Sequence, residues 1–300
     1  MKDLKKWLSA MRLRTLPLSI SGIIVAACLA KYNGVFDYII FVLAILTTLS
    51  YQILSNLAND YGDGVKGTDN DQRIGPARAL QSGAITKEEM FNAIKINVLI
   101  SIALTVSLIF FSFKSEHLLL AFAFFILASL SIYAAIKYTV GNNAYGYKGK
   151  GDVFVFVFFG LVSVLGCYVL FAKQIDYIAI LPAIAIGLLS TAVLNLNNMR
   201  DIVSDVTANK ITLAVKLGAV KAKKYHYFLV ITAIVLSVLF GVLYYKSPFN
   251  LIYFIAYIPL LLHLKTVKSV TNPKDFDPEL KKLALTTVLL SLLLGIGQLL

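Results

Sequence analysis

The side chains in this chain best suited to chemistry stand in two short acidic segments. The first reads Asn56-Leu57-Ala58-Asn59-Asp60-Tyr61-Gly62-Asp63 and runs on to Gly67-Thr68-Asp69. The second reads Asn195-Leu196-Asn197-Asn198-Met199-Arg200-Asp201-Ile202-Val203-Ser204-Asp205. On a continuous helix Asn56, Asp60 and Asp63 share one face, and so do Asn198, Asp201 and Asp205. Carboxylates and amide oxygens at these spacings suit Mg²⁺, a hard cation that takes one or two protein carboxylates and completes its shell with water and phosphate oxygens. Two such ions neutralise a diphosphate. Lys66, Arg73 and Arg78 after the first segment, and Lys148 in a later loop, supply the cations that complete a phosphate site. An Asp or Asn at a helix end often does no more than cap it, and one Asp-x-x-x-Asp is unspecific. Two segments that both open Asn-Leu-x-Asn, each beside cations, carry the functional reading, with a phosphate anion as leaving group. The shared opening also hints at a distant internal repeat.

The elements that must position these acids are membrane helices. The 300 residues are 58% hydrophobic and only 15% charged, a balance that excludes a soluble domain. Spans need about 20 apolar residues each, and nine are expected at 16–33, 37–57, 93–113, 117–137, 153–172, 176–197, 227–245, 248–264 and 284–300. A basic N-terminus followed by Val25-Ala26-Ala27-Cys28 resembles a lipoprotein cleavage box. Small residues are common in membrane helices, however, and the segment is read as a retained first span. Of the 28 basic residues, only Lys31, Lys114, Lys173 and Lys246 fall on the side away from the N-terminus. By the positive-inside rule the N-terminus and all long loops are cytoplasmic. The net charge of +12 is explained by these loops, so no nucleic-acid partner is expected. Lys221, Lys223 and Lys224 read as a solvated, topology-setting face. Cys28 and Cys167 fit neither a disulfide nor a metal pair, and His117, His226 and His263 are too scattered for a metal site. Both acidic segments then lie at cytoplasmic helix ends, where a carboxylate near the hydrocarbon usually marks function. The fold expected is an all-α integral membrane protein of the inner cell membrane. It is a single domain over 1–300, with nine transmembrane helices in a bundle around a central cavity open to the cytoplasmic side.

At these residues the chain resembles the UbiA-type intramembrane prenyltransferases, whose hallmark is Asn-Asp-x-x-Asp after helix 2 and Asp-x-x-x-Asp after helix 6. Asn59-Asp60-x-x-Asp63 and Asp201-x-x-x-Asp205 match both. Within that superfamily it is most similar to the 1,4-dihydroxy-2-naphthoate polyprenyltransferases of menaquinone synthesis. The segments that carry this likeness are Ala10-x-Arg12-x-Arg14-Thr15-Leu16-Pro17, Gly67-Thr68-Asp69, Gly75-Pro76-x-Arg78, Tyr145-Gly146-Tyr147-Lys148, Gly151-Asp152-Val153, Phe158-Phe159-Gly160 and Asn197-Asn198-x-Arg200-Asp201. Lys148 and Lys150 stand where the pattern has Arg and Leu, and Asp152 where it usually has Glu; none of these removes a charge sign the mechanism needs. The resemblance implies that Asp60, Asp63, Asp201 and Asp205 hold Mg²⁺ against the diphosphate and so carry catalysis. It assigns Asn56, Asn59, Lys66, Arg73, Arg78, Tyr145, Lys148 and Asn198 to diphosphate binding. The allylic carbon–oxygen bond would ionise, and the naphthoate ring would capture the cation with loss of carbon dioxide. Arg12 and Arg14 stand where they could bind the acceptor carboxylate or orient the first helix at the surface.

Other readings make different demands. A 4-hydroxybenzoate prenyltransferase would differ only in its acceptor pocket. A phosphatidyltransferase of the CDP-alcohol type keeps its aspartates in one contiguous motif, whereas here four spans separate them. A transporter would place acids at the membrane midplane on broken helices. The sequence leaves the prenyl chain length, the oligomeric state and the acceptor base open.

Overall fold

Apolar segments that cross a bilayer must satisfy their backbone internally, and each apolar stretch here is helical. The structure, a computed structural model, describes residues 2–69 and 74–300, apart from the side chains of residues 2, 3 and 14. Arg73 and the Arg14 side chain therefore lie outside what is described. A short amphipathic helix, α1 (Lys2–Ala10), precedes α2 (Leu16–Tyr32), which opens with Pro17 in its first turn. Then follow α3 (Tyr38–Val65), α4 (Lys87–Phe113), α5 (Leu118–Lys137), α6 (Gly151–Ala172) and α7 (Tyr177–Arg200). A single-turn helix, α8 (Ile202–Thr207), leads to α9 (Leu213–Leu243), α10 (Pro248–Ser269) and α11 (Pro273–Leu299).

Among the described residues eight helices, α3 to α7 and α9 to α11, are long and apolar enough to cross a membrane. The first expected span, α2, has 17 residues. It is about 26 Å long against a hydrocarbon core of about 30 Å. Several helices outrun their apolar stretches. Helix α3 continues eight residues past its expected end to Val65, and α9 starts at Leu213 rather than 227, with a non-helical break at Gly218. Hydropathy registers only the part in hydrocarbon, while backbone hydrogen bonding carries the helix on into the polar zone. The second acidic segment departs from expectation. The helix ends at Arg200, Asp201 leaves helical geometry at φ −99°, and the chain resumes as α8. The i to i−4 bonds nevertheless continue on both sides, from Asp201 N to Asn197 O and from Asp205 N to Asp201 O.

Helix α2 is the buried axis of the bundle, with Val25, Ala26, Leu29 and Ala30 fully inaccessible. It packs on α3, α6 and most extensively on α11, while α9 lies along α7, and α3 pairs with α4. The main apolar core is built by α2, α6, α7, α9, α10 and α11. A second, smaller core joins Ala10, Leu54, Leu57, Ala58, Ala79, Ile85, Met90 and Ile94. That core matters for function, because it fixes the loop before α4 against the acidic end of α3. Helix α4 itself starts on a capping box in which Thr86 and Glu89 satisfy each other's backbone.

Candidate active site

The helix ends bearing both acidic segments meet at the polar mouth of a cavity of about 840 Å³. Its deep wall is apolar, with Leu18, Ile23, Ala44, Leu108, Phe124, Phe158, Val162 and Leu170, while Arg12, Asn56, Asn59, Asp63, Arg78, Asn197, Asn198 and Lys210 line the mouth. Residues of both acidic segments thus border a largely apolar space.

The two segments meet through one cation. The Lys210 ammonium stands 3.4 Å from an Asp63 oxygen and 3.8 Å from an Asp205 oxygen. The carboxylates are 6% and 5% exposed, so the triad is shielded from solvent. Burial works against the charge on Lys210, but the two carboxylates outweigh it and hold its pKa above that of an ordinary lysine. The lysine is aimed by its own turn: its backbone N–H bonds Asp205 O at 2.8 Å, following Asn209 in the left-handed region, and Ile211 N bonds Tyr147 O.

Tyr147 completes the Asp63 side. Its hydroxyl donates to Asp63 Oδ1 at 2.7 Å while accepting from Thr68, and its ring lies 4.0 Å under the Lys66 ammonium. Burial and the Asp63 charge both push the Tyr147 phenol up, which keeps it neutral and donating. Burial lowers Lys66, only partly opposed by Asp63, and its ammonium donates to Thr139 O at 2.7 Å. The loop bearing Tyr147 comes close because Gly62 has no side chain: a Cβ there would lie 2.6 Å from Thr139 Oγ1 and 2.8 Å from its carbonyl carbon.

The remaining expected residues divide between the cavity and its supports. Asn56 lines the cavity while its amide donates to Met11 O and Thr15 Oγ1, tying α3 to the turn before α2. Asn59 accepts from Thr139 and also faces the cavity, as do Asn198 and Arg78. Arg78 lies 3.8 Å from Asp69. Asp60 is turned to structure: its two oxygens accept the backbone N–H groups of Ala79 and Leu80 at 3.1 and 3.3 Å, which holds the Arg78 loop in place. Asp201 is gripped by Arg200 in a two-pronged pair of 2.8 and 2.7 Å, and Arg200 also reaches Asp277 and Asn197. Tyr145 forms cavity wall, stacked on Phe154 at 3.9 Å, with its hydroxyl bonded to Ala134 O. Beside it Tyr138 is pushed up to about 12 by burial, against the lowering effect of Lys210. Lys148 is exposed and turned to Asn143, away from the cavity. Lys210, Tyr147 and Asp277 were not singled out from sequence. The signal for Lys210 was a cation five residues after Asp205, and for Tyr147 its place beside Tyr145; for Asp277 there was none.

The donor set fits a small hard cation. Asp63 and Asp205 come from opposite halves of the chain and already share one cation, with the amides of Asn59 and Asn198 at the same mouth. Among the described residues no three acids or histidines form a ready-made metal cage. Mg²⁺ bound through one or two carboxylates and substrate phosphate needs none.

Comparison with known proteins agrees with this geometry. The UbiA prenyltransferase family profile matches residues 20–293. The chain is 44% identical over 292 residues, 97% of its length and 94% of the relative's, to 1,4-dihydroxy-2-naphthoate octaprenyltransferase of Escherichia coli. It is 33% identical over 305 residues, all of both chains, to the protein of that name from Mycobacterium tuberculosis. The fold is similar to the apo structure of a UbiA homolog from Aeropyrum pernix (TM-score 0.70, 14% identity, 95% of this chain and 97% of that one). It is also similar to a UbiA homolog from Archaeoglobus fulgidus bound to GPP and Mg²⁺ (TM-score 0.65, 13% identity, 96% and 99%).

Proposed function

The chain belongs to the UbiA prenyltransferase family, and on that premise we propose that it transfers a polyprenyl group from polyprenyl diphosphate to 1,4-dihydroxy-2-naphthoate, releasing carbon dioxide and diphosphate and giving demethylmenaquinol. The observation that carries this reading is the meeting of Asp63 and Asp205 on one cation at the mouth of an apolar cavity. The acceptor is taken from the relatives named for it along nearly their whole length.

Asp63 and Asp205 would hold Mg²⁺, with Asp60 and Asp201 joining by exchanging their present partners, the Ala79–Leu80 backbone and Arg200. Bound metal supplies charge stabilisation to the departing diphosphate. The chain's own groups do the rest. Lys210 leaves the carboxylates for the phosphates, joined by Arg78, Arg73, Lys66 and the Asn56, Asn59 and Asn198 amides. Lys148 enters this set only by turning from Asn143. The apolar cavity takes the prenyl chain and excludes water from the allylic cation. The ring faces of Tyr145, Phe154 and Phe158 stand where they shelter positive charge. Arg12, at the same mouth, faces the acceptor carboxylate.

In the membrane, the charge bias orients the protein with its N-terminus cytoplasmic in the inner cell membrane and the cavity mouth on that side. Nine crossings are proposed, with α2 as the ninth. Its start contributes Arg12 and Thr15 to the acidic mouth, and its end meets Lys246 and Leu300 at the far end of the bundle.

The test is product formation by purified protein in detergent with polyprenyl diphosphate and either 1,4-dihydroxy-2-naphthoate or 4-hydroxybenzoate, with and without Mg²⁺. Magnesium-dependent demethylmenaquinol from the naphthoate alone is expected. Product from 4-hydroxybenzoate would move the acceptor assignment, and no product from either would overturn the reading.

A further inference from the structure

A second cavity, of about 500 Å³, opens at the end of the bundle opposite the carboxylates. It lies where α2 ends, α10 begins and α11 ends, and its lining includes Lys31, Tyr32, Lys246, Gln298, Leu299 and Leu300. No acidic side chain lines it. The acids of the neighbouring turns are committed elsewhere: Asp37 caps Ile39 and Ile40, and Asp176 accepts from Asn33 and Ile178.

Gln298 is the informative residue. It is 5% exposed, it faces this cavity, and neither its Nε2 nor its Oε1 has a hydrogen-bond partner among the described residues. A buried amide without partners costs free energy, and here its backbone is fixed in place, since Gly297 O accepts from the buried Asn250 side chain at 2.8 Å. Two ammonium groups stand at the same cavity. Lys246 is held 4.3 Å over the Tyr32 ring, and Lys31 lies in the last turn of α2, where the helix dipole favours a cation. Lysine is scarce at this end of the molecule, and two of its four gather here. These donors, lining one cavity beside the apolar side chains of Leu299 and Leu300, suit an anion with oxygen acceptors. The exposed Tyr245 and Phe249 flank the site at the level of the helix ends, where aromatic residues meet lipid headgroups.

We propose that this second cavity binds a phosphate group, presented by the headgroup of an anionic glycerophospholipid in the leaflet at that end. Lys31 and Lys246 supply the charge, and the Gln298 amide donates to a phosphate or glycerol oxygen. The site does not depend on the prenyl-transfer reading.

The experiment is native mass spectrometry of the full chain, titrated in micelles with phosphatidylglycerol, with phosphatidylcholine of the same acyl chains, or with inorganic phosphate. The wild type should retain one phosphatidylglycerol in preference to phosphatidylcholine. The Lys31→Gln/Lys246→Gln double variant should weaken retention about twenty- to thirtyfold. Gln298→Glu, of nearly equal size, should also lose the adduct, and thermal unfolding verifies that each variant is folded. A one-to-one inorganic phosphate adduct that disappears in the same variants supports the phosphate site and assigns it to a soluble ligand. Equal retention of both lipids, with no phosphate adduct, or retention unchanged in folded variants, overturns the proposal.

Discussion

Replacing Lys210 by methionine separates two roles that its ammonium combines. In the structure it stands between Asp63 and Asp205, the place proposed above for a metal ion. Removing it should tighten Mn²⁺ binding to the substrate-free protein, measured by electron paramagnetic resonance. The same variant should transfer the prenyl group about 10- to 100-fold more slowly, because a charge-assisted contact to phosphate is lost. Weaker metal binding together with unimpaired transfer would remove Lys210 from the site. The sign of its pH dependence follows from the raised pKa. Its charge is fully present below the ordinary lysine value and is lost only as pH climbs through the higher folded value, so in the metal-free, substrate-free protein, where this contact holds, NMR of the lysine ammonium should show no Lys210 ionisation between about pH 6 and pH 10. Asp63→Asn and Asp205→Asn should each abolish transfer while the protein still inserts and folds, and full turnover in both would sink the metal assignment. Asp63, Asp205, Asn59 and Asn198 were legible in the sequence because charged and amide side chains are costly to hold beside hydrocarbon unless they bind something. Tyr147 was not legible. It and Tyr145 share one 3₁₀ turn, and which ring meets the acid and which the apolar wall is set by the fold of the loop against Gly62.

At the scale of the element, the crossing of α6 and α7 leaves no room for one added carbon. Gly160 lies against the α7 backbone: a Cβ there would stand 2.6 Å from both Ala183 O and Gly187 Cα. Small residues at such crossings let membrane helices approach closely, and neither neighbour can turn aside, since both are backbone atoms. Gly160→Ala should therefore destabilise the protein by about 1–3 kcal/mol, read as a lowered unfolding midpoint in detergent, and an unchanged midpoint would mean that α6 moves freely on α7. The same substitution bears on the site, because α6 carries Phe154 and Phe158 into the cavity. Apolar runs located the helix centres well, yet the extensions that carry the chemistry were less legible. Asp63 projects from the part of α3 beyond its apolar stretch, and α9 extends back to Leu213 through Lys221, Lys223 and Lys224. The break at Asp201 was invisible to periodicity, because it is fixed by the Arg200 side chain binding both Asp201 and Asp277, a partner from α11. A buried chain of contacts from His226 to His263 to Glu279, at 2.9 and 2.6 Å, likewise joins α9, α10 and α11 although nothing in the spacing of these residues announces it.

For the whole molecule, the distribution of lysine and arginine and the geometry of the bundle bear on one question, how many times the chain crosses. Charge counting places the N-terminus and the long loops on one side. The structure gathers Arg12, Asp63, Arg78, Asn198, Lys210 and Asp277 at one cavity mouth, and sets the end of α2 beside Lys246 and Leu300 at the other end. A helix of 17 residues is short for a bilayer core of about 30 Å, but thinning of the bilayer or snorkelling of flanking residues accommodates a mismatch of a few ångströms at modest cost. If α2 crosses, the chain crosses an odd number of times and its two ends face opposite compartments. If it does not, they face the same one. Single cysteines settle this in a background with Cys28 and Cys167 replaced by serine, by labelling with a membrane-impermeant maleimide. Cysteine at position 148 or 221 should label only in inside-out vesicles, and cysteine at 114 or 246 only in right-side-out ones. Labelling of position 5 together with 148, and of 31 together with 246, is the pattern nine crossings require. Labelling of position 5 together with 31 and 246, instead of with 148, would leave α2 on the surface at that side and separate Arg12 from the role proposed for it.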